Sequence, residues 1–503
     1  MPQPQGFDTA LALSRFGLGS NTDGVSAVAG DIRDKLKAEI EAGAPKPDHA
    51  DLRSTPDLLV AVYKYEMDKK AERELMNTRA PSSGNSSSGN PNMGSMDGPA
   101  DPHSKDMLAP PVDKPGQSMM QAQPPVMKPG ADLDNPTRPA IIAEIDARFN
   151  GTMKQPQIGF NERMVMFWTN HFAVSVKKNQ QVGAIAGAYE REAIRPNVFG
   201  KFFDMVLAVE THPAMLIYLD NYQSIGPDSM GARVGGKGLN ENLAREILEL
   251  HTLGVGSGYT QADVTNFAKV ITGWSINRNA RQGAPGTFVF NDRTHEPGPQ
   301  TVLGKTYSQS GMDQGKAILR DLCRHSATAR HIATKLVRHF VADEPPATLV
   351  KRLSEVFLKS DGDLAEVSRA LIDAPESWSP KLVKMRSPLE FIAATTRATG
   401  ATLKPNAITT ALNAMGQPWW QPPGPNGFPD TVAAWASPES LATRMEFINS
   451  VASQADRSVD PRAFAESRLG GLLDDHTREA VARAESQAQG LGLVFLSPEF
   501  MRR

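Results

Sequence analysis

One cysteine, Cys323, in 503 residues excludes an internal disulfide framework, a cysteine zinc cluster and an iron–sulfur centre within the chain. A formal net charge of -2 gives no global attraction to nucleic acid or to an anionic membrane surface, and neither partner is expected. No window holds about 18 uninterrupted apolar residues, so no membrane span is expected. The opening segment, MPQPQGFDTALALSRFGLG, lacks a basic leader and an unbroken apolar stretch. It reads as no signal peptide, so the location expected is cytoplasmic unless the chain is exported with a partner. Familiar catalytic signatures are missing too: there is no GxSxG elbow, no GxxxxGK[ST] loop and no strand-borne GxGxxG. His295-Glu296 runs into Pro-Gly-Pro, which cannot continue a helix, so HExxH is excluded. With cysteine ligation unavailable, a metal cofactor would be a divalent ion held by oxygen and nitrogen from Asp, Glu, Asn or His.

What is present is helical patterning. Apolar residues recur at helical spacing over 1–79 and again over 137–503. Strand signals reduce to the alternating run GTFVFN at 286–291, which with Val302-Leu303 predicts a small hairpin. The fold class expected is mostly α, a large multi-helical domain with a β-hairpin excursion near 286–307. Its N-terminal helical part (1–79) and main part (137–503) are separated by residues 80–136, rich in Ser, Gly, Pro and Met. That composition buries too little apolar surface to offset its ordering entropy, which predicts a long disordered insertion. No period of 20 to 50 residues is visible, so a solenoid is not expected.

The densest polar pattern lies in Asn240-Glu-Asn-Leu-Ala-Arg-Glu-Ile-Leu-Glu-Leu-His251. At about 100° per residue, Asn242, Arg245, Glu246 and Glu249 share one stripe, with Leu243, Ile247, Leu250 and His251 opposite. Acid and guanidinium at i, i+3 and i+4 form either a salt-bridged surface or the wall of a polar site. Upstream, His212-Pro213 and Tyr218-Leu-Asp220-Asn221 flank a short apolar helix, and His171 closes another in FWTNHF at 167–172. His295 sits on a loop, where functional side chains concentrate. His331 and Lys335, at i and i+4, could approach an anionic substrate, although ordinary salt bridging is the simpler reading. For Trp419-Trp420 and the proline-rich PPGPNGFPD at 422–430, stacking on a ligand competes with simple pinning of a loop against the helices.

Taken in order, FWTNHF (167–172), HPAMLIYLDN (212–221), NENLARE (240–246) to His251, YTQAD (259–263), TGW (272–274), HEPG (295–298), TARH (328–331) and His339-Phe340 resemble the bacterial family "domain of unknown function 1800". The similarity spans about residues 8 to 500 apart from the insertion. It implies a predominantly helical fold. It also implies a genomic neighbour, "domain of unknown function 1501", which resembles alkaline-phosphatase-like proteins and carries twin-arginine export signals. Gln300 stands where a lysine is expected after the His-x-x-Gly block.

The function expected is a hydrolase acting on a polar substrate, with metal assistance as one variant. In that scheme Glu246, Glu249, Asp220 and His295 are catalytic, and Arg245, Asn242, Asn221, His171 and His212 bind substrate. The alternative is a non-catalytic partner or escort of the exported alkaline-phosphatase-like protein that the resemblance implies.

Overall fold

Helices in this chain start where a short polar side chain can take up the free N–H groups of a first turn. Asp31, Asn179, Asp363, Ser437 and Asp474 do so for the helices Ile32–Ala42, Gln180–Tyr189, Leu364–Asp373, Pro438–Ser453 and Asp475–Ala482. Thr260 with Asp263 and Ser387 with Glu390 form reciprocal capping boxes. In the computed structural model the described residues are 6–28, 30–79, 134–154, 158–235, 238–278 and 283–503. Among them stand 22 α-helices, interrupted by short 3₁₀ segments and three π-turns, so the fold is mostly α. The segment read as a disordered insertion falls outside the described residues except for 134–136.

The chain divides into two units, Met1–Tyr63 with Asn135–Arg503, and Lys64–Asp134. The second unit contributes the far end of the helix Thr55–Arg79, where Lys70 and Glu74 pair at 3.9 Å. The first unit is the larger of the two.

Its central element is the helix Phe160–His171, which is buried nearly all round. A helix in that position must find internal partners for every polar side chain it carries. Glu162 pairs with Arg195 at 2.5 Å, and Arg163 pairs with Glu390 at 3.1 Å. Its first turn is held from another helix: Glu39 accepts the N–H groups of Gly159 and Phe160 at 3.1 and 2.7 Å. That carboxylate faces the positive end of the helix dipole, although burial still raises its pKa. The apolar side packs Phe160 against Phe16 and Phe340, with ring centroids 6.1 and 5.6 Å away.

The β content is two short antiparallel pairs, and their pairing differs from the sequence expectation. Phe288–Phe290 pairs with Trp274–Ile276, not with the run near 302. Gln300–Val302 forms its own hairpin with Lys305–Tyr307. The turn between them is Leu303-Gly304, both at positive φ (52° and 74°), the geometry that closes a two-residue hairpin. Among the described residues no helix is long and apolar enough to cross a membrane.

Candidate functional site

Of the nine residues singled out from the sequence, Asn221 and His295 both bond the segment 271–274, while Glu246 lies beside Glu249. The helix Asn242–Glu246 passes into a π-turn at Ile247–His251. Its wider i→i+5 winding ends the 100° spacing that would stack Glu249 over Asn242 and Glu246. Asn242 is exposed, and Arg245 turns to Glu241 (3.1 Å) and Gln261 (2.9 Å). Asp220 pairs with Lys178 at 2.5 Å. Asn221 is buried and donates to the carbonyls of Ile271 and Trp274 at 3.1 and 3.3 Å. His212 caps a helix by accepting the Ala214 N–H, and His295 donates from Nδ1 to the Thr272 carbonyl at 3.0 Å.

Glu246 and Glu249 do remain neighbours. Glu246 is half-buried, and burial, reinforced by Glu249, raises its pKa against the opposing pull of His251 and Arg245. The Tyr218 phenol is raised by burial and by Glu246, and the Tyr259 phenol by burial and by its hydrogen bond to Glu249. Only His171 of the nine lines the cavity described next.

That cavity has a volume of about 320 Å³. Its walls are the helices Phe160–His171 and Ser326–Phe340 and the loop from Gln417 to Trp435. The loop is fixed by Asn170, which donates to the Phe428 carbonyl (2.9 Å) and accepts the Phe428 N–H (2.7 Å), as a neighbouring strand would. Gly427, at φ 79°, passes so close that an added Cβ would sit 2.3 Å from the Asn170 carbonyl oxygen. Gly427→Ala therefore combines a left-handed backbone with a clash. A loss of about 2 kcal/mol is expected in urea unfolding; a loss under about 0.5 kcal/mol would show that this loop is not anchored as described. Trp420 is itself held at φ 49°, a conformation costly for an aromatic residue. With Trp419 and Trp435 it makes the cavity wall strongly aromatic.

Beneath the cavity lies a buried charge network. Arg503 is placed by strand-like bonding to Lys384, with N···O distances of 2.8 and 3.1 Å. It meets Glu390 at 3.0 Å and Asp430 at 3.6 Å, and Lys384 meets Asp430 at 3.3 Å. Burial alone would raise both acids, but Arg163 and Arg503 bring Glu390 to about 2, and His339, Arg503 and Lys384 hold Asp430 far below the carboxylate range. His339 donates from Nδ1 to Asp430 at 2.7 Å, which resembles a catalytic dyad. Its Nε2, however, accepts from Arg163 Nη2 at 3.0 Å. That lone pair is taken, so His339 is a neutral strut; burial brings it to about 4.

The lining residues with unused hydrogen-bonding capacity are cationic or basic. Arg148 uses Nη1 on Glu190 (2.5 Å), while its buried Nε and Nη2 have no partner among the described residues. Both members of that pair sit on π-turns, Ala147–Gly151 and Glu190–Ile194, a distortion common at functional sites. His171 donates from Nε2 to the carbonyl of His251, on the third π-turn, at 3.2 Å. Its Nδ1 is therefore a bare, buried lone pair. Burial and then Lys335 hold its pKa well below the usual value. Lys335, on the same wall, makes no hydrogen bond or ion pair with a described residue. Burial, opposed by Asp430 and aided by Arg338, brings its ammonium down to about 8.

His331, one turn from Lys335, donates from Nε2 to the Leu250 carbonyl at 3.1 Å, and burial with Lys335 lowers it from 6.5 to about 4. Between those values the unfolded chain binds more protons at this position than the native one. Stability contributed here is thus lost as pH falls from 6.5 to 4, at up to about 1.4 kcal/mol per unit. Glutamine can keep the bond to Leu250 without titrating. The stability of the wild type relative to His331→Gln should fall by about 2 kcal/mol over that window in urea unfolding. A constant difference would show that His331 takes up its proton normally.

Lys335, Arg148 and the Trp419-Trp420 wall carry most of the cavity's chemistry; the sequence marks Lys335 and the two tryptophans only beside simpler readings, and it does not mark Arg148. The nearest signal is the i, i+4 pair of His331 and Lys335. Among the described residues no three His, Cys, Asp or Glu side chains group closely enough to hold a metal ion. No curated protein and no solved structure matches the chain. The family model that does match covers residues 11–502 and is described as a protein of unknown function, DUF1800; the chain belongs to that family.

Proposed function

We propose that the protein is an enzyme that takes a small organic anion with a planar apolar body into the aromatic cavity and uses Lys335 as its base. The observation that carries this reading is the unpaired Lys335 amine in a cavity wall, lowered to about 8 and so able to accept a proton near neutrality. Both acids in the wall are already neutralised by two or more cations, whereas Arg148 keeps free donors and Arg338 spends one N–H on the Asp343 carbonyl at 3.1 Å. An anion is therefore favoured over a cation. Indole faces supply the apolar contact and the space of about 320 Å³ suits a small molecule. Benzoate should quench tryptophan fluorescence saturably in the wild type and bind at least tenfold more weakly to Arg148→Met. Equal, non-saturable quenching in both would defeat the reading.

A second reading keeps the hydrolase chemistry at Glu246 and Glu249, and one observation favours it. Glu246 is a half-buried carboxyl with a raised pKa beside a second acid, the environment of a general acid. Glu246→Gln should then abolish turnover of a substrate found by screening while leaving benzoate binding unchanged. Full turnover in that variant removes this reading.

A further inference from the structure

Lys335 differs from every other cation around the cavity. Arg148, Arg163, Lys384 and Arg503 each hold a carboxylate within 3.1 Å, and Arg338 bonds a carbonyl. Lys335 has no hydrogen-bond or ion-pair partner among the described residues, and it lines the cavity. An amine needed only for charge would be expected to have a counter-ion, and an amine needed only for packing would be cheaper as methionine. The same wall carries His171, 1 % exposed, with its Nδ1 lone pair unused. It stands close enough to Lys335 for each charge state to affect the other. A nucleophile beside a free proton acceptor, in an aromatic pocket with guanidinium donors, is what imine formation requires.

We propose that Lys335 is a covalent nucleophile that forms an imine with an aldehyde or ketone whose planar body also bears an anionic group. The inference rests on the cavity being the ligand site, as proposed above, and adds the class of substrate and the bond made. The neutral Nζ attacks the carbonyl carbon, and the π pair moves to oxygen. One Nζ proton passes by way of His171 Nδ1 to that oxygen to give the carbinolamine, and the second follows the same route to the hydroxyl, which leaves as water. One C=N bond forms, one C=O bond breaks, one water is released, and no oxidant or reductant is involved. Arg148 holds the anionic end, and Trp419 and Trp420 supply apolar wall for the ring.

The test uses the full chain and two probes of matched shape. 4-Carboxybenzaldehyde can form the imine, whereas 4-carboxybenzyl alcohol cannot and reports occupancy alone. Each is titrated by tryptophan quenching, then borohydride is added and lysine adducts are located by mass spectrometry of peptides. The expected result is quenching by both probes, with the aldehyde adduct on Lys335 at least tenfold above any other lysine. Lys335→Arg should lose that adduct yet still be quenched by the alcohol, which shows that the variant is folded. Quenching by both probes with adducts spread evenly over lysines, or none at Lys335, overturns the imine and leaves the anion cavity standing. No saturable quenching by either probe removes the cavity reading and the imine with it.

Discussion

Glu390→Gln lowers the unfolding free energy by about 3–5 kcal/mol, the largest stability loss expected of any single substitution here. Glu390 is 1 % exposed and receives Arg163 at 3.1 Å and Arg503 at 3.0 Å, while also accepting the Ser387 N–H at 2.9 Å to close a capping box. Glutamine preserves the shape and one acceptor oxygen but leaves two buried guanidinium groups without that counter-charge. Arg163 is fully buried, and with Glu390 gone it keeps hydrogen bonds to His339 and the Gly17 carbonyl, neither of them an anion. Arg503 keeps Asp430, at 3.6 Å. Urea unfolding of both proteins at pH 7 measures the difference. A loss below about 1 kcal/mol would mean that the network contributes little and that packing alone sets the cavity floor.

Lys335→Met should show the opposite signs for stability and for function. Methionine fills similar volume and removes an ammonium that has no partner, so the fold should gain about 1–2 kcal/mol, less than full burial would suggest because the side chain borders solvent-accessible space. Benzoate affinity should fall at least tenfold, and all chemistry that needs the amine should cease. Such a trade is expected where an unfavourable charge is kept for function. A variant that is destabilised and still binds benzoate normally would assign Lys335 a structural role.

Much of the fold was legible because local rules act locally. Ser387, Asp363 and Thr260 are residue types that favour helix starts, and the structure has caps at each. The mostly helical class followed from periodicity. The three π-turns were not legible, since a pattern read at 3.6 residues per turn has no signature for one inserted residue. They matter because Arg148, Glu190 and His251 all lie on them. The cavity was equally hidden: Asn170 and Phe428 are 258 residues apart in sequence yet exchange two hydrogen bonds. Asp220, Asn221, His212 and His295 are residue types that loops beside helix ends carry whether they bind a ligand or hold the backbone. In the structure their hydrogen bonds go mostly to backbone groups and to ordinary ion pairs. Nothing in the spacing of Lys335 shows that its amine has no hydrogen-bond or ion-pair partner among the described residues, because that depends on where Asp430 and Asp343 fold.

The most direct measurement is the pH dependence of Lys335 acylation, read residue by residue with a dilute amine-selective acetylating reagent and mass spectrometry between pH 6 and 11. An unpaired amine in the cavity wall should reach half-maximal rate near pH 8, and saturating benzoate should slow it. Half-maximal labelling near the ordinary 10.5, unaffected by benzoate, would contradict the account.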